Sequence, residues 1–271
     1  MSDNPFSLEG RVAVVTGGTG AIGSALAAGL ARTGARIVVL ARDPERVEHA
    51  ASGLREAGHE ALGVSADVLD PSALEAARDA VLARFGRIDV LVNCAGGNVA
   101  AATLAEDASP FDVPIEAYRD VVDLNFLGTL LPIRVLGAAM EGSSGGSIVN
   151  VSSMAAGRAL TRVGGYGAAK AAIESITRSL AVELARRGTG IRVNAIAPGF
   201  VVGDQNRRLL IGEDGGLTAR GRAIVERTPL GRLGEPDELV STVVWLASDG
   251  ARFVTGVVVP VDGGFSAFSG I

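Results

Sequence analysis

Val12-Ala13-Val14-Val15-Thr16-Gly17-Gly18-Thr19-Gly20-Ala21-Ile22-Gly23, followed by the helical period Ser24–Arg32, decides the fold. A short β-branched run ends in glycine and opens straight into a helix. Gly18, Gly20 and Gly23 then match G-x-G-x-x-G in the strand–turn–helix context that gives the pattern meaning. The glycines permit a tight turn and a close approach to a pyrophosphate. The helix N-terminus offers amide donors and a favourable dipole. The plain alternative is a Gly-rich turn with no ligand.

Working outward, strands and helices alternate along the chain. Ile37–Leu40 is continuous and apolar, and a polar helix follows over Pro44–Ala57. Glu60–Val64 reads as a strand, Ser72–Phe85 as a helix and Ile88–Asn93 as a strand. A helix over Ile115–Met140 precedes the strand Ser147–Val151. The helix Gly165–Arg187, the strand Ile191–Ile196, the helix Pro236–Ser248 and the strand Val257–Pro260 complete the series. Unbroken Val/Ile/Leu runs predict strands covered on both faces of a parallel sheet. The expected fold is therefore α/β: one doubly wound Rossmann domain over 1–271, with helices on both faces of a parallel sheet. Residues 203–222 are polar and Gly-rich, too long for a structureless loop in a compact domain, and read as a substrate lid or a pair of short helices.

Composition narrows the function classes. The 271 residues are 48% hydrophobic and 20% charged, which excludes disorder as the dominant state. Net charge is −5 with no long basic run, so a nucleic-acid partner is not expected. A single cysteine, Cys94, allows no intrachain disulfide. It reads as a small packing residue, because neither His49 nor His59 is placed to activate it. Apolar runs shorter than a bilayer span and an N-terminus without a signal pattern lead us to expect a cytoplasmic protein with no membrane partner.

The ends of the strands hold the candidate binding residues. Gly17, Gly18, Thr19, Gly20, Ala21 and Ile22 would cradle the phosphates. About 20 residues on, a carboxylate commonly holds a ribose 2′-hydroxyl; that point falls at Ala41-Arg42-Asp43. Arg42 favours a 2′-phosphate and hence NADP(H), while Asp43 keeps NAD(H) open. Asp67 and Val68, expected to end the third strand, would meet an adenine edge. Asn93, Ala95 and Gly96 end the fourth.

Tyr166 and Lys170 are four residues apart, one turn along the same helix face. A free tyrosine, with a pKa near 10, is too weakly acidic to serve as a base at neutral pH, but a nearby ammonium stabilises its phenolate. Spacing alone favours the blander arrangement, an aromatic ring resting on a lysine stem. The wider pattern adds to this. Thr16–Gly23, Asn93-Cys94-Ala95-Gly96, Asn125, Ser153, Tyr166-x-x-x-Lys170 and Pro198-Gly199 occur in the order and spacing of the short-chain dehydrogenase/reductase family. The chain resembles that family over about residues 8–265.

The resemblance implies transfer of a hydride between a nicotinamide and a carbonyl/alcohol pair, with no metal. It implies that Tyr166 is the general acid for reduction and base for oxidation. Lys170 would lower the Tyr166 pKa and hold the nicotinamide ribose, and Ser153 would bind the substrate oxygen. Asn125 would help hold a relay water, or merely satisfy local backbone. Tyr166, Lys170, Pro198, Gly199 and Val201 would also touch the cofactor. A homotetramer is implied too, the run Val257–Phe268 being similar to the family's interface segment. Two positions depart from the family: Ala21 replaces a motif glycine, and Gly203 replaces a threonine that meets the carboxamide.

Three segments, Asn125–Pro132, Asn194–Leu210 and Pro260–Gly270, are similar to a subgroup of D-mannonate oxidoreductases (fructuronate reductases). That subgroup carries an acidic residue at the position of Ala41, so the cofactor choice differs here. A sugar-acid substrate needs a cation for its carboxylate and amides for its hydroxyls. Asn98, Met154, Gln205, Asn206 and Arg207 are the candidate contacts, with Arg207 for the carboxylate and Arg162 as a second cation. Two other readings stay open: a broad ketone/alcohol or 3-oxoacyl-type reductase, using the small residues near Met154–Gly157, and a non-catalytic NADP-binding module.

Overall fold

The computed structural model describes residues 4–105, 108–141, 145–203 and 206–270. Seven parallel strands form one sheet in the order β3-β2-β1-β4-β5-β6-β7. They are β1 (Val12–Thr16), β2 (Arg36–Ala41), β3 (Ala61–Ser65), β4 (Val90–Asn93), β5 (Gly146–Val151), β6 (Ile191–Pro198) and β7 (Val258–Val261). Registers such as Thr16↔Leu40 on one side of β1 and Thr16↔Asn93 on the other bring the carboxyl ends level. Strand order reverses between β1 and β4, and a crevice opens above such a switch point.

Both faces are covered, and β1 to β6 each feed two cores. Ala13, Val15, Ile37, Val39, Val90 and Val92 face one cluster; it includes Leu26, Leu30 and Ala27 of α1 (Ala21–Arg32). Val243, Leu246 and Ala247 of α9 (Val240–Ala247) join that cluster, and Ala50 and Leu54 of α2 (Pro44–Glu56) pack on it. Val12, Val14, Val38, Leu40, Leu91 and Ile148 face the other. There they meet Leu74 and Val81 of α3 (Pro71–Phe85), Leu136 and Met140, and Ala181 of α6 (Gly164–Arg186). Two buried faces per strand explain the absence of polar alternation. Leu30 is 0% exposed, so Leu30→Ala should cost about 2–5 kcal/mol.

Local chemistry sets the element ends. Asp43 and Asp70 cap α2 and α3, each accepting two amides of the first turn. Helix α1 begins at Ala21, three residues earlier than its apolar period indicates. Extended Gly20 (φ −84°, ψ 165°) ends the turn and starts the helix at once. The 115–140 helix comprises α4 (Ile115–Val122) and α5 (Gly128–Pro132), separated by a π-helical turn over Asp123–Leu127. By length and mean hydropathy (1.4) Ile115–Met140 could cross a bilayer, contrary to the expectation from run lengths. Here its apolar side packs on α3, α6 and the sheet, which accounts for that composition.

Among the described residues of 203–222, a single turn α7 (Arg207–Leu210) and the start of α8 (Ala219–Arg227) replace a plain loop. The short helices expected there are thus present among the described residues. β3 ends at Ser65, so Asp67 and Val68 lie just beyond the strand rather than within it.

Candidate active site

The Gly-rich turn is built by steric necessity at two positions. Gly17 has φ +65°, and a Cβ there would lie 2.8 Å from the Ala95 backbone. A Cβ on Gly23 would overlap the Gly17 carbonyl oxygen. Gly18 is tight too, with Val15 O and Val39 Cγ1 3.0 Å from its Cβ position. Gly20 is open: its nearest such neighbour is Gly17 O at 3.5 Å. The free side of the turn is therefore at Gly20, where the first-turn amides of Ala21 and Ile22 lack helical acceptors. A cradle open at the glycine that caps α1 fits the pyrophosphate of a dinucleotide. Thr16, which the sequence reading did not assign, joins the two sides of the switch point. Its Oγ1 accepts from Cys94 N (3.1 Å) and Ala95 N (3.2 Å).

At the β2 end the structure separates Arg42 from Asp43. Asp43 Oδ1 accepts from Glu45 N (3.0 Å) and Arg46 N (3.2 Å) as a helix cap, and Oδ2 takes no part in those bonds. Arg42 is exposed, and its carbonyl accepts from Ser65 Oγ at 2.8 Å. A second cation arrives from the first turn of α2: Arg46 Nη2 donates to Thr19 O at 3.0 Å, on the Gly-rich turn. The sequence reading missed Arg46; its signal was the spacing of four from Arg42 across a capped helix start. Asp67 Oδ1 accepts from Leu69 N (2.9 Å). Val68 is 5% exposed and packs into the core beside Gly128, so its side chain does not face the crevice.

Beyond β4, Asn93 is turned inward rather than to the crevice. Its Nδ2 donates to Asn150 Oδ1 (2.9 Å), Asn150 Nδ2 to Thr177 Oγ1 (2.9 Å), and Thr177 Oγ1 to Ile173 O (2.7 Å). The chain of bonds fastens α6 across β5 to β4. Burial pushes the Cys94 thiol up to about 11, consistent with an inert packing residue.

Asn125 sits in the π-helical turn and clamps the loop after β4. Its Oδ1 accepts from Gly97 N (3.0 Å); its Nδ2 donates to Gly97 O (2.7 Å) and Val121 O (2.8 Å). Both amide hydrogens are thus used on backbone. A Cβ on Gly96 would lie 2.7 Å from Asn125 Oδ1 and 3.4 Å from Lys170 Nζ, so Gly96 lets the three groups meet.

Ser153, Tyr166 and Lys170 converge at the end of β5 and the start of α6. Lys170 is 4% exposed and donates from Nζ to Val151 O at 2.8 Å. Its ammonium lies 5.5 Å from the Tyr166 ring centre. Burial lowers the Lys170 pKa to about 8. Tyr166 departs from expectation: burial raises its pKa, and a hydrogen bond with Ser153 only partly opposes this. Desolvation of the phenolate dominates, and the Lys170 ammonium does not offset it. Ser153 Oγ also accepts from Ala155 N at 3.2 Å.

Pro198 and Gly199 end β6, and a Cβ on Gly199 would lie 2.7 Å from Asp262 Cα. Val201 is 7% exposed. Asn206, expected at the substrate, is spent on this loop: its Oδ1 accepts from Gly203 N (2.9 Å) and its Nδ2 donates to Val201 O (2.8 Å). It fixes the backbone that stands where the family threonine would be. Met154 is 4% exposed and closed off in the core. Arg207 is exposed at the start of α7, and Gln205 lies outside the described residues.

A dinucleotide cradle at the switch point beside a Ser–Tyr–Lys cluster defines a nicotinamide-dependent oxidoreductase. Residues 17–266 match the family described as enoyl-(acyl carrier protein) reductase, and the chain belongs to the short-chain dehydrogenase/reductase family. It is 42% identical over 274 residues to the uncharacterized oxidoreductase UxuB of Bacillus subtilis, covering 98% of each chain. A structure from Haemophilus influenza with bound NAD, provisionally assigned as a D-mannonate oxidoreductase, superposes with a TM-score of 0.91 at 39% identity over 98% of each chain. A provisionally assigned NAD(P)-dependent gluconate 5-dehydrogenase from Beutenbergia cavernae, with NADP at low occupancy, gives 0.85 at 37% identity, covering 98% of this chain and 100% of that one. The protein is an NAD(P)-dependent enzyme of this family.

Proposed function

We propose that the enzyme uses NADPH to reduce the keto group of a sugar acid of the fructuronate/mannonate type, as one domain, in the cytoplasm and as a homotetramer. The names carried by two structural neighbours, a D-mannonate oxidoreductase and a gluconate 5-dehydrogenase by provisional assignment, support the sugar-acid class. One observation carries the cofactor preference: Arg42 follows β2 at the switch-point end of the sheet and Arg46 donates to Thr19 O on the Gly-rich turn, while Asp43 Oδ1 is used as a cap. Two guanidinium groups favour a 2′-phosphate over a bare ribose. The segment 203–222 is the substrate lid.

When bound, the nicotinamide supplies the hydride. Tyr166 keeps its proton at neutral pH because burial holds its pKa up, and so is suited to protonate the nascent alkoxide. Ser153 orients the Tyr166 hydroxyl and the substrate oxygen. Lys170, anchored on Val151 O, keeps further ammonium protons for the nicotinamide ribose. Asn125 holds the Gly96–Gly97 backbone, and with Lys170 it frames the place for a relay water.

The test is the initial rate with D-fructuronate against a neutral aliphatic ketone, each with NADPH and NADH. Faster turnover of fructuronate with NADPH is expected. A preference for NADH would remove the arginine argument. Faster turnover of the ketone would replace the sugar acid by a broad reductase role. Nucleotide binding without turnover of either would leave a binding module.

A further inference from the structure

Arg162 is the one described residue other than glycine with a positive φ (+75°). A left-handed backbone is unfavourable for an arginine and persists only where its surroundings hold it. Two hydrogen bonds hold it here: Leu104 N donates to Arg162 O (3.0 Å) and Arg162 Nε donates to Leu104 O (2.6 Å). Leu104 belongs to the loop leaving the carboxyl end of β4. Arg162 belongs to the loop 152–163, which leaves β5, carries Ser153 and leads into the first turn of α6 with Tyr166. The clamp therefore joins the two loops that border the reacting centre, and fixes a part-buried guanidinium between them.

With Nε occupied, Nη1 and Nη2 remain. No acceptor for them occurs among the described residues. That end of a guanidinium presents two parallel donors, the match for a carboxylate. The β4 loop carries a second unmet requirement. Asn98 Nδ2 donates to Thr103 Oγ1 (2.6 Å), but Asn98 Oδ1 is buried with no donor. Buried acceptors are ordinarily paired, so this atom calls for a hydroxyl or amide from outside the chain. Arg207, by contrast, is exposed on a one-turn helix, and no described residue accepts a hydrogen bond from its side chain.

We infer that Arg162 receives the carboxylate of the substrate, and that Asn98 Oδ1 accepts from one of its hydroxyls, so the clamped β4–β5 loop pair selects hydroxy acids. The inference rests on the sugar-acid reading, and the test separates the two. Wild type, Arg162→Gln and Arg162→Lys are assayed with D-fructuronate and with its uncharged methyl ester. The affinity of tartrate for each enzyme–NADP+ complex is measured by calorimetry. Arg162→Gln should raise KM for fructuronate and weaken tartrate by about 10–100-fold, the scale of a charge-assisted hydrogen-bond pair. The ester KM, the NADPH Kd and the melting temperature should stay within about twofold. Arg162→Lys should recover part of the loss. Equal losses for acid and ester would overturn the inference in favour of a purely structural clamp, and so would unchanged tartrate affinity. Wild type that binds tartrate yet turns over no fructuronate would sink the sugar-acid reading alone; the tartrate comparison would still decide Arg162. Wild type that binds neither acid would overturn both.

Discussion

Ala21 and Gly203 face each other across the crevice: a Cβ on Gly203 would stand 3.3 Å from Cβ of Ala21. These are the two positions at which the chain departs from its family, and the fold sets them in contact. The methyl at 21 occupies space that a side chain at 203 would need. Gly203→Thr should weaken NADPH binding roughly 5–150-fold, from about 1–3 kcal/mol of overpacking. Adding Ala21→Gly should restore most of it. A fluorescence titration of the double-mutant cycle checks this; strictly additive effects would show the pair to be uncoupled.

Coenzyme choice should follow the cations and ignore the carboxylate beside them. Arg42→Ala and Arg46→Ala should each raise the NADPH Kd about 10-fold, the scale of one charge-assisted hydrogen bond. NADH should be little affected by Arg42→Ala. Arg46→Ala should also cost some NADH affinity, because Arg46 braces Thr19 O. Asp43→Ala should lower stability by about 0.5–2 kcal/mol through loss of the α2 cap, with no change in the NADPH/NADH ratio. A shift of that ratio toward NADPH in Asp43→Ala would instead assign the carboxylate to the ribose.

The pH profile should carry the mark of Lys170. Its pKa of about 8 predicts that kcat/KM for reduction is flat through neutrality and declines above pH 8, as the buried ammonium is lost. Lys170→Arg should carry any residual activity to higher pH. Tyr166→Phe should cut kcat by roughly 10²–10⁴-fold at every pH while leaving the NADPH Kd unchanged. Stability shows the same group with a definite sign. Between pH 8 and 10.5 the unfolded lysine holds a proton that the folded one has released. Unfolding free energy from this residue therefore rises with pH across that window, and is constant below it. Urea melts of wild type and Lys170→Met at pH 7.5 and 10 test this: the rise should vanish in the variant.

The Asn93–Asn150–Thr177 chain predicts a loss of stability coupled to a loss of catalysis. Thr177→Val keeps the shape but leaves Asn150 Nδ2 without its acceptor in a site 0% exposed. The expected cost is about 1–3 kcal/mol. Because Thr177 lies two turns beyond Lys170 on α6, kcat should fall more than the nucleotide Kd changes. Thr177→Ser should rescue both in chemical denaturation and steady-state assays. Failure of the serine to rescue would place the effect in packing instead.

The layer fold and the Gly-rich turn were legible along the chain: doubly buried strands read as unbroken Val/Ile/Leu, and a tight turn reads as glycine. A spacing of four put Tyr166 and Lys170 on one helix face, but only the resemblance to the family joined Ser153 to them and gave the three a common role. Most element ends fell within a residue or two for the same reason. The tertiary structure decided what depends on which atoms already have partners. Asp43 gained a second task as the α2 cap through Oδ1, and Asn206 looked available to substrate until it closed the 201–203 backbone. Arg46 gained its place only through Thr19, 27 residues earlier in the chain. The Tyr166 pKa moves opposite to the spacing argument, because spacing does not report desolvation. The opposition of Ala21 to Gly203 and of Arg162 to Leu104 is likewise a property of packing between distant segments, and one-dimensional pattern carries no signal for it.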